Sequence, residues 1–316
     1  MAADGNVPHA TLATEIAAQV TGRRPSRVTR FTTGVMHYVF EASFADGPPI
    51  VVRIAGRQGV AAMRSAAKLS HQLRPLGVGL PAILAEDLDA QFPWLALERL
   101  AGTDLGNVVA NLDAPRLDAV AREIAHAQAI VATIPSAGRY GYAADPAEAP
   151  HRRWSDVVLG HLERSCDRMA AAGLFGPEPA AAAAGAVESV RAELDAIAAT
   201  PFLHDTTTRN VIVTTDGALS GIVDVDDLCF GDPRYVVALT AASLLNLGCG
   251  KAYTDAWLRH AGLADDRLFR LYISLFLLDF MAEHGTRFNG NEAPSSPEAR
   301  TRLLALFDES LRQASS

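Results

Sequence analysis

Residues 202–224 read FLHDTTTRNVIVTTDGALSGIVD, and the spacing of Asp205, Asn210 and Asp224 within them decides what the chain can be. VIV (211–213) and LSGIV (219–223) are short β-forming runs, and Asp216-Gly217 between them is a hairpin turn signal. If that pair closes the turn, Thr215 faces Ala218. Counting outward then puts Asn210 opposite Val223, with Asp224 one residue beyond. Asn210 and Asp224 arrive at the same open end, within the roughly 5–8 Å of adjacent or diagonal cross-strand neighbours. A one-residue slip in the turn leaves them close. Asp205 lies in the loop feeding that end. Two carboxylates and a carboxamide, without a Cys or His cluster, suit Mg²⁺, a hard cation that takes few protein oxygens and leaves the rest to water and phosphate. Asp205 is then left to orient or deprotonate a hydroxyl. Asp205 and its threonines also suit a plain turn.

Working outward, the chain has 316 residues, enough for two lobes with substantial cores. No apolar run reaches membrane-spanning length, so no membrane partner is expected. The N-terminus, MAADGNVPHATLATE, lacks a basic region followed by an apolar one, which predicts no secretion signal. Cys166, Cys229 and Cys249 are scattered and odd in number; they form neither a disulfide framework nor a metal pair, and predict a cytoplasmic protein. Up to Glu98 there are 9 basic against 8 acidic residues, and beyond it 19 against 28. An acidic second half argues against nucleic acid and favours a cationic small molecule, although a solvated acidic surface has the same composition. Only Lys68 and Lys251 are lysines; the other basic residues are arginines.

RVTRFTT (27–33), HYVFEASF (37–44) and PPIVVRI (48–54) read as strands separated by turn-like TTGVM and ADGPP. Residues 58–74 have helical periodicity, and PAILAED (81–87) and FPWLALERL (92–100) are two further strands. Helices are predicted over 115–134, 151–173, 178–199, 234–247, 251–262, 265–284 and 296–313, with one β segment at 211–224. The expectation is an α+β, two-lobed fold, divided into residues 1–99 and 100–316 and with a cleft between the lobes. His126, His151 and His161 are placed on helices without metal-ligand spacing, and Trp154 and Trp257 are assigned to packing. Asp156, Asp279 and Glu283 sit on second-lobe helices, either lining an acceptor pocket or as exposed helix charge.

The string D-x-x-x-x-N, a hairpin, I-V-D and then F-G-D-P (230–233) resembles the aminoglycoside phosphotransferase and choline kinase-like group of small-molecule kinases, over roughly residues 25–245. The resemblance implies a protein-kinase-like fold: a small antiparallel sheet followed by a mostly helical C-terminal lobe. It implies ATP or GTP as donor, Mg²⁺ as cofactor and a hydroxyl-bearing small molecule, such as an aminoglycoside-like antibiotic, as acceptor. Asp205 matches the catalytic base, and Asn210 and Asp224 the metal ligands. Gly34, in TTGVMHYVF (32–40), matches the nucleotide-covering hairpin. Arg53 matches the third-strand basic residue that reaches the phosphates. Glu98 to Leu100 match the hinge whose backbone meets the adenine.

The departures are specific. The family's catalytic loop reads H-G-D, whereas here His204 and Asp205 are adjacent. The helix at 58–74 holds no acidic residue to pair with Arg53; the family's glutamate slot falls near Ala66, so Arg53 must lean on another carboxylate or on the phosphates. Val236 stands where the family often has a second aspartate after GDP, and Asp232 is read as fixing a turn. The added Asp226 and Asp227 follow Asp224; by strand alternation Asp224 and Asp226 share a face and Asp227 does not. The missing helix glutamate leaves one rival to an active kinase, a non-catalytic nucleotide-binding regulator, and the Asp205/Asp224 carboxylate pair leaves a second, a metal-dependent hydrolase. Oligomeric state has no sequence signal.

Overall fold

The computed structural model describes residues 8–31, 37–56, 59–284 and 295–315. Among the described residues up to Leu100, one antiparallel sheet is built from β1 (Arg27–Arg30), β2 (His37–Ser43), β3 (Ile50–Ala55), β4 (Ile83–Asp87) and β5 (Trp94–Glu98), in spatial order β1-β2-β3-β5-β4. Alternate side chains point to opposite faces, and each face is covered by a helix. A first helix, α1 (Ala10–Thr21), lays Ala13, Ile16 and Ala17 against Phe40, Val52, Ile54 and Trp94. A second, α2 (Val60–Leu73), lays Met63, Ala66 and Ala67 against Ala55 and Leu95 on the other face. Arg53 pairs with Leu95 across the β3–β5 ladder, so it lies on the α2 face.

The chain leaves this sheet through Gly102. Its φ of +104° is open to glycine, and a Cβ there would lie 1.9 Å from the Val213 carbonyl oxygen. Beyond it, β6 (Thr103–Asp104), α3 (Ala114–Val131), β7 (Gly141–Ala143), α4 (Trp154–Ala172), α5 (Glu178–Ser189), α6 (Arg191–Asp195), β8 (Thr200–Phe202), β9 (Val211–Val213), β10 (Leu219–Ile222), β11 (Leu228–Gly231), α7 (Arg234–Asn246), α8 (Ala252–Ala261), α9 (Arg267–Glu283) and α10 (Pro297–Ala314) build the second lobe. Its core is helical: α3 packs on α8, and α9 packs on α4, α7 and α10. Leu69 and Leu73 of α2, with Val78 and Leu80, join that core rather than the sheet's. The Ile222 N–H donates to the Gly79 carbonyl at 2.7 Å, which ties the segment after α2 to β10.

Several sequence expectations need correction. The helix predicted over 178–199 breaks at Val190, whose φ of −113° and ψ of 11° are not helical, and it ends at Asp195. His151 lies outside any helix, in an isolated antiparallel bridge with Tyr140. The second lobe holds two three-stranded sheets, β10-β9-β6 and β7-β11-β8, where one β segment was predicted. The turn at Asp216-Gly217 also differs: Thr214 N–H donates to the Ala218 carbonyl, and Leu219 pairs with Val213. A bulge between Leu219 and Gly221 then restores the count, so that Ile222 faces Val211 and the Val223 N–H donates to the Asn210 carbonyl at 2.9 Å. The slip near the tip never reaches the open end.

Candidate active site

The loop between β8 and β9 is held from beneath. Gln128 of α3 is buried; its Oε1 accepts from Leu203 N–H at 2.9 Å, and its Nε2 donates to the Leu203 carbonyl at 3.0 Å and to Thr206 Oγ1 at 3.2 Å. Thr206 and Thr208 are buried, and the Thr208 carbonyl accepts from Gly106 N–H at 3.0 Å. Thr206 and Thr208 of the run TTT (206–208) therefore anchor the loop. On this base the Asn210 carboxamide donates from Nδ2 to both the Asp205 carbonyl at 2.8 Å and its Oδ2 at 2.9 Å. Asp205, Asp224, His204 and Asp227 line one small recess with Leu203 and Ile222.

Asp224 follows the hairpin with φ of +62°, the one non-glycine with positive φ among the described residues. Aspartate tolerates the left-handed region better than most side chains, but the conformation still stores strain of the kind that collects at functional sites. The turned carboxylate accepts from Arg53 Nη2 at 2.9 Å. The same nitrogen donates to both Asp226 oxygens, at 2.7 and 2.8 Å. His37 of β2 brings Nε2 to 3.4 Å from Asp226 Oδ2. The next carboxylate, Asp227, turns away to meet the His204 ring, whose edge is packed against Tyr142. Segment 223–227 is irregular backbone, yet its acids alternate as a strand would place them.

These contacts set the charges. Burial raises the Asp205 carboxyl above the usual carboxylate range, reinforced by Asp224 and only partly opposed by His204 and the Asn210 amide. Burial also works against a charged Asp226, but His37 and Arg53 outweigh it and hold that carboxyl below its ordinary value. For His204, burial disfavours the imidazolium while the Asp227 contact favours it more, so its pKa is raised.

A family model described as the phosphotransferase enzyme family matches residues 27–272. The chain belongs to the phosphotransferase enzyme family. Membership places it among small-molecule kinases, enzymes that move a phosphoryl group to a hydroxyl. Its fold is that of the aminoglycoside phosphotransferases. The crystal structure of aminoglycoside phosphotransferase APH(4)-Ia superposes with a TM-score of 0.67 at 17% identity, covering 96% of this chain and 99% of the other. A GDP complex of an aminoglycoside 2'-phosphotransferase-IIIa variant gives 0.66 at 16% identity, covering 97% and 96%. A streptomycin–ATP–APH(2")-IIa ternary complex gives 0.61 at 16% identity, covering 98% of each. No curated protein sequence matches.

In this phosphotransferase the remaining predicted positions fall as follows. Gly34 lies outside the described residues. Glu98 ends β5 and its side chain accepts from Ala82 N–H at 3.1 Å; Leu100 is buried, and its carbonyl accepts from the Arg99 guanidinium. The Leu100 N–H has no hydrogen-bond partner among the described residues. Asp232 is removed from the recess and wholly committed: its carboxylate accepts from the Arg234 backbone and guanidinium and from the Tyr272 hydroxyl at 2.9 Å. The glycine before it is required because a Cβ at Gly231 would lie 2.1 Å from the Trp154 ring. Trp154 and Trp257 are core residues, His126 is exposed, and His161 is buried against the Tyr235 hydroxyl. Asp279 and Glu283 pair with Arg168, at 3.2 and 3.4 Å, and Asp156 lies 3.6 Å from Arg153. Sequence reasoning missed Gln128 and His37. Neither carries a local signal, since one is a glutamine within an amphipathic helix and the other opens an ordinary strand.

Proposed function

We propose that this phosphotransferase transfers the γ-phosphoryl group of ATP or GTP to a hydroxyl of a small cationic molecule, of the aminoglycoside-like class. One observation carries the reading: Asp205 and Asp224 line one recess, with Asn210 hydrogen-bonded to the first and Arg53, 171 residues away in sequence, hydrogen-bonded to the second. Asp205 would orient the acceptor hydroxyl and take its proton; a carboxyl raised by burial is a better base for that step than an exposed one. Arg53 would hold phosphoryl oxygens, with Gly34 in the covering hairpin, while the Leu100 N–H would serve as the hinge donor beside Glu98. We assign residues 1–99 to the nucleotide-binding lobe and 100–316 to the lobe with catalytic loop and acceptor site.

The donor set fits Mg²⁺. Because Asn210 commits Nδ2 to Asp205, its Oδ1 is turned away from that bond, and Asp224 has Oδ2 uncommitted among the described residues. No group of three or more His, Cys, Asp or Glu suited to a metal occurs among the described residues. Asn210 and Asp224 would therefore supply two oxygens and leave the others to water and phosphate, which is the habit of Mg²⁺. When bound, the cation would neutralise charge on the β- and γ-phosphate oxygens. The protein's own contribution is then positioning and electrostatics rather than covalent chemistry.

The acidic second half supports a cationic acceptor. The relatives' structures name ATP in one case and GDP in another, so either donor is consistent with the fold. The test is an acceptor panel of aminoglycosides, macrolides, choline-like amines and sugars, read by coupled ADP or GDP release and mass gain. Asp205→Asn is expected to lower turnover roughly 10²–10⁴-fold with nucleotide binding nearly intact. Nucleotide binding without acceptor-dependent release from any compound would favour the regulator. Phosphate release at the same rate without acceptor would favour the hydrolase.

A further inference from the structure

We propose that Asp226 is the residue that positions Arg53 for the nucleotide, taking over the role left empty by α2, and that it does so from the opposite lobe. The inference rests on the kinase reading above. Arg53 is buried, its side chain 8% exposed, and a buried guanidinium requires a carboxylate. It stands on the sheet face that α2 covers, yet α2 reads VAAMRSAAKLSHQL and offers none. Ala66 packs with Leu95, the cross-strand neighbour of Arg53, so an alanine occupies the place from which a helix acid would reach it.

Two carboxylates from the second lobe fill the gap, and they are not equivalent. Asp226 engages Arg53 Nη2 with both oxygens, is 26% exposed and is backed by His37 from β2. Asp224 uses one oxygen, is 54% exposed and sits on the left-handed backbone that turns it to the recess. Asp226 is therefore the anchor, and Asp224 is left available to a ligand. Only Nη2 of Arg53 is hydrogen-bonded among the described residues, which leaves Nη1 for a phosphoryl oxygen. A glutamate on α2 would hold Arg53 within the first lobe whatever the second lobe did. An anchor at Asp226 holds it only while the two lobes are together, so the phosphate-binding arginine is set by lobe closure itself.

The experiment is a double-mutant cycle on the full chain with Arg53→Gln, Asp226→Asn and the pair, read by nucleotide Kd in calorimetry without acceptor and by steady-state kinetics. Asp226→Asn is expected to weaken nucleotide binding and raise its KM about ten- to a hundredfold, the range of a lost charge-assisted hydrogen bond. kcat at saturating nucleotide should fall less than tenfold. In the Arg53→Gln background the same change should add less than twofold, because Asp226 acts through Arg53. Asp226→Glu, which keeps the charge, should recover most of the affinity even if Asp226→Asn folds poorly. Unchanged Kd in Asp226→Asn, additive effects in the pair, or no recovery in Asp226→Glu would overturn the proposal while parent turnover and the Asp205→Asn result stand. A parent chain that binds no nucleotide would instead overturn the kinase reading, and this inference with it.

Discussion

Arg53 and Arg234 are both arginines pressed against aspartates of one short stretch: Asp224 and Asp226 meet the first, and Asp232, eight and six residues further on, meets the second. Arg234 is saturated. Its Nε and Nη2 engage Asp232, its Nη1 meets Asp266, and Asp232 in turn accepts from Tyr272, which accepts from Trp154 Nε1 at 2.8 Å. The side chains are 12% and 4% exposed, and the pairing with two aspartates holds the guanidinium pKa above its usual range against the opposing effect of burial. Arg53 is equally buried but incomplete: among the described residues one nitrogen makes all its hydrogen bonds and the buried Nε has no partner, and Asp224 is half open to solvent. A pair that exists to hold a fold has its hydrogen bonds made. A pair with bonds left over, beside a strained backbone, is what the proposed ligand role requires.

The sharpest way to break this contrast is to remove one carboxylate from each. Asp232→Ala leaves Arg234 buried with most of its partners gone and should cost roughly 3–5 kcal/mol in denaturant unfolding, with or without nucleotide. Asp224→Asn keeps the left-handed preference and leaves Arg53 with Asp226, so its stability should stay within about 1 kcal/mol while Mg²⁺-dependent nucleotide affinity falls. Equal losses of stability at the two sites would end the distinction.

The saturated region should also lose stability in acid. His161 of α4 is buried against the Tyr235 hydroxyl and Phe276, next to Asp279, Arg164 and Arg168, and burial pushes its pKa down to about 4. The unfolded chain takes up that proton near pH 6.5 and the folded chain only near 4, so stability should fall as pH drops through this window. The His161 share is at most about 3 kcal/mol. His161→Gln, which keeps a polar partner for Tyr235, should flatten the difference in unfolding free energy between pH 7 and 4.5.

The saturated half of the comparison was easier to read from sequence than the open half. FGDP announces a fixed turn because a glycine, a carboxylate and a proline each have local conformational meaning, and the hairpin announces itself through Asp-Gly and β-branched flanks. The convergence of Asn210 with Asp224 survived even a wrong turn geometry, because the bulge near Ser220 absorbed the slip. The alternation of Asp224, Asp226 and Asp227 was legible too. What faces them was not: Arg53 lies 173 residues from Asp226, and nothing local to either residue encodes their meeting. The short strands β7, β8 and β11 escaped for a related reason. Three or four residues carry too little periodicity, and these strands exist because they pair with one another. The first helix was missed because ATLATEIAAQVT mixes alanine with β-branched residues, and the sheet it covers is what settles its conformation.

The smallest effect isolates strain from charge. Asp224→Gly and Asp224→Ala both delete the carboxylate and leave Arg53 Nη2 on Asp226, so electrostatics should match between them. They differ in the cost of φ near +62°, which glycine adopts freely and alanine does not. Glycine also loses more chain entropy on folding, which offsets part of the gain. The balance should still leave the glycine variant more stable by about 1 kcal/mol, as the same substitution in a relaxed position would not. If alanine is as stable as glycine, the left-handed turn at Asp224 stores nothing, and the openness of Arg53 must be explained by its unmade hydrogen bonds alone.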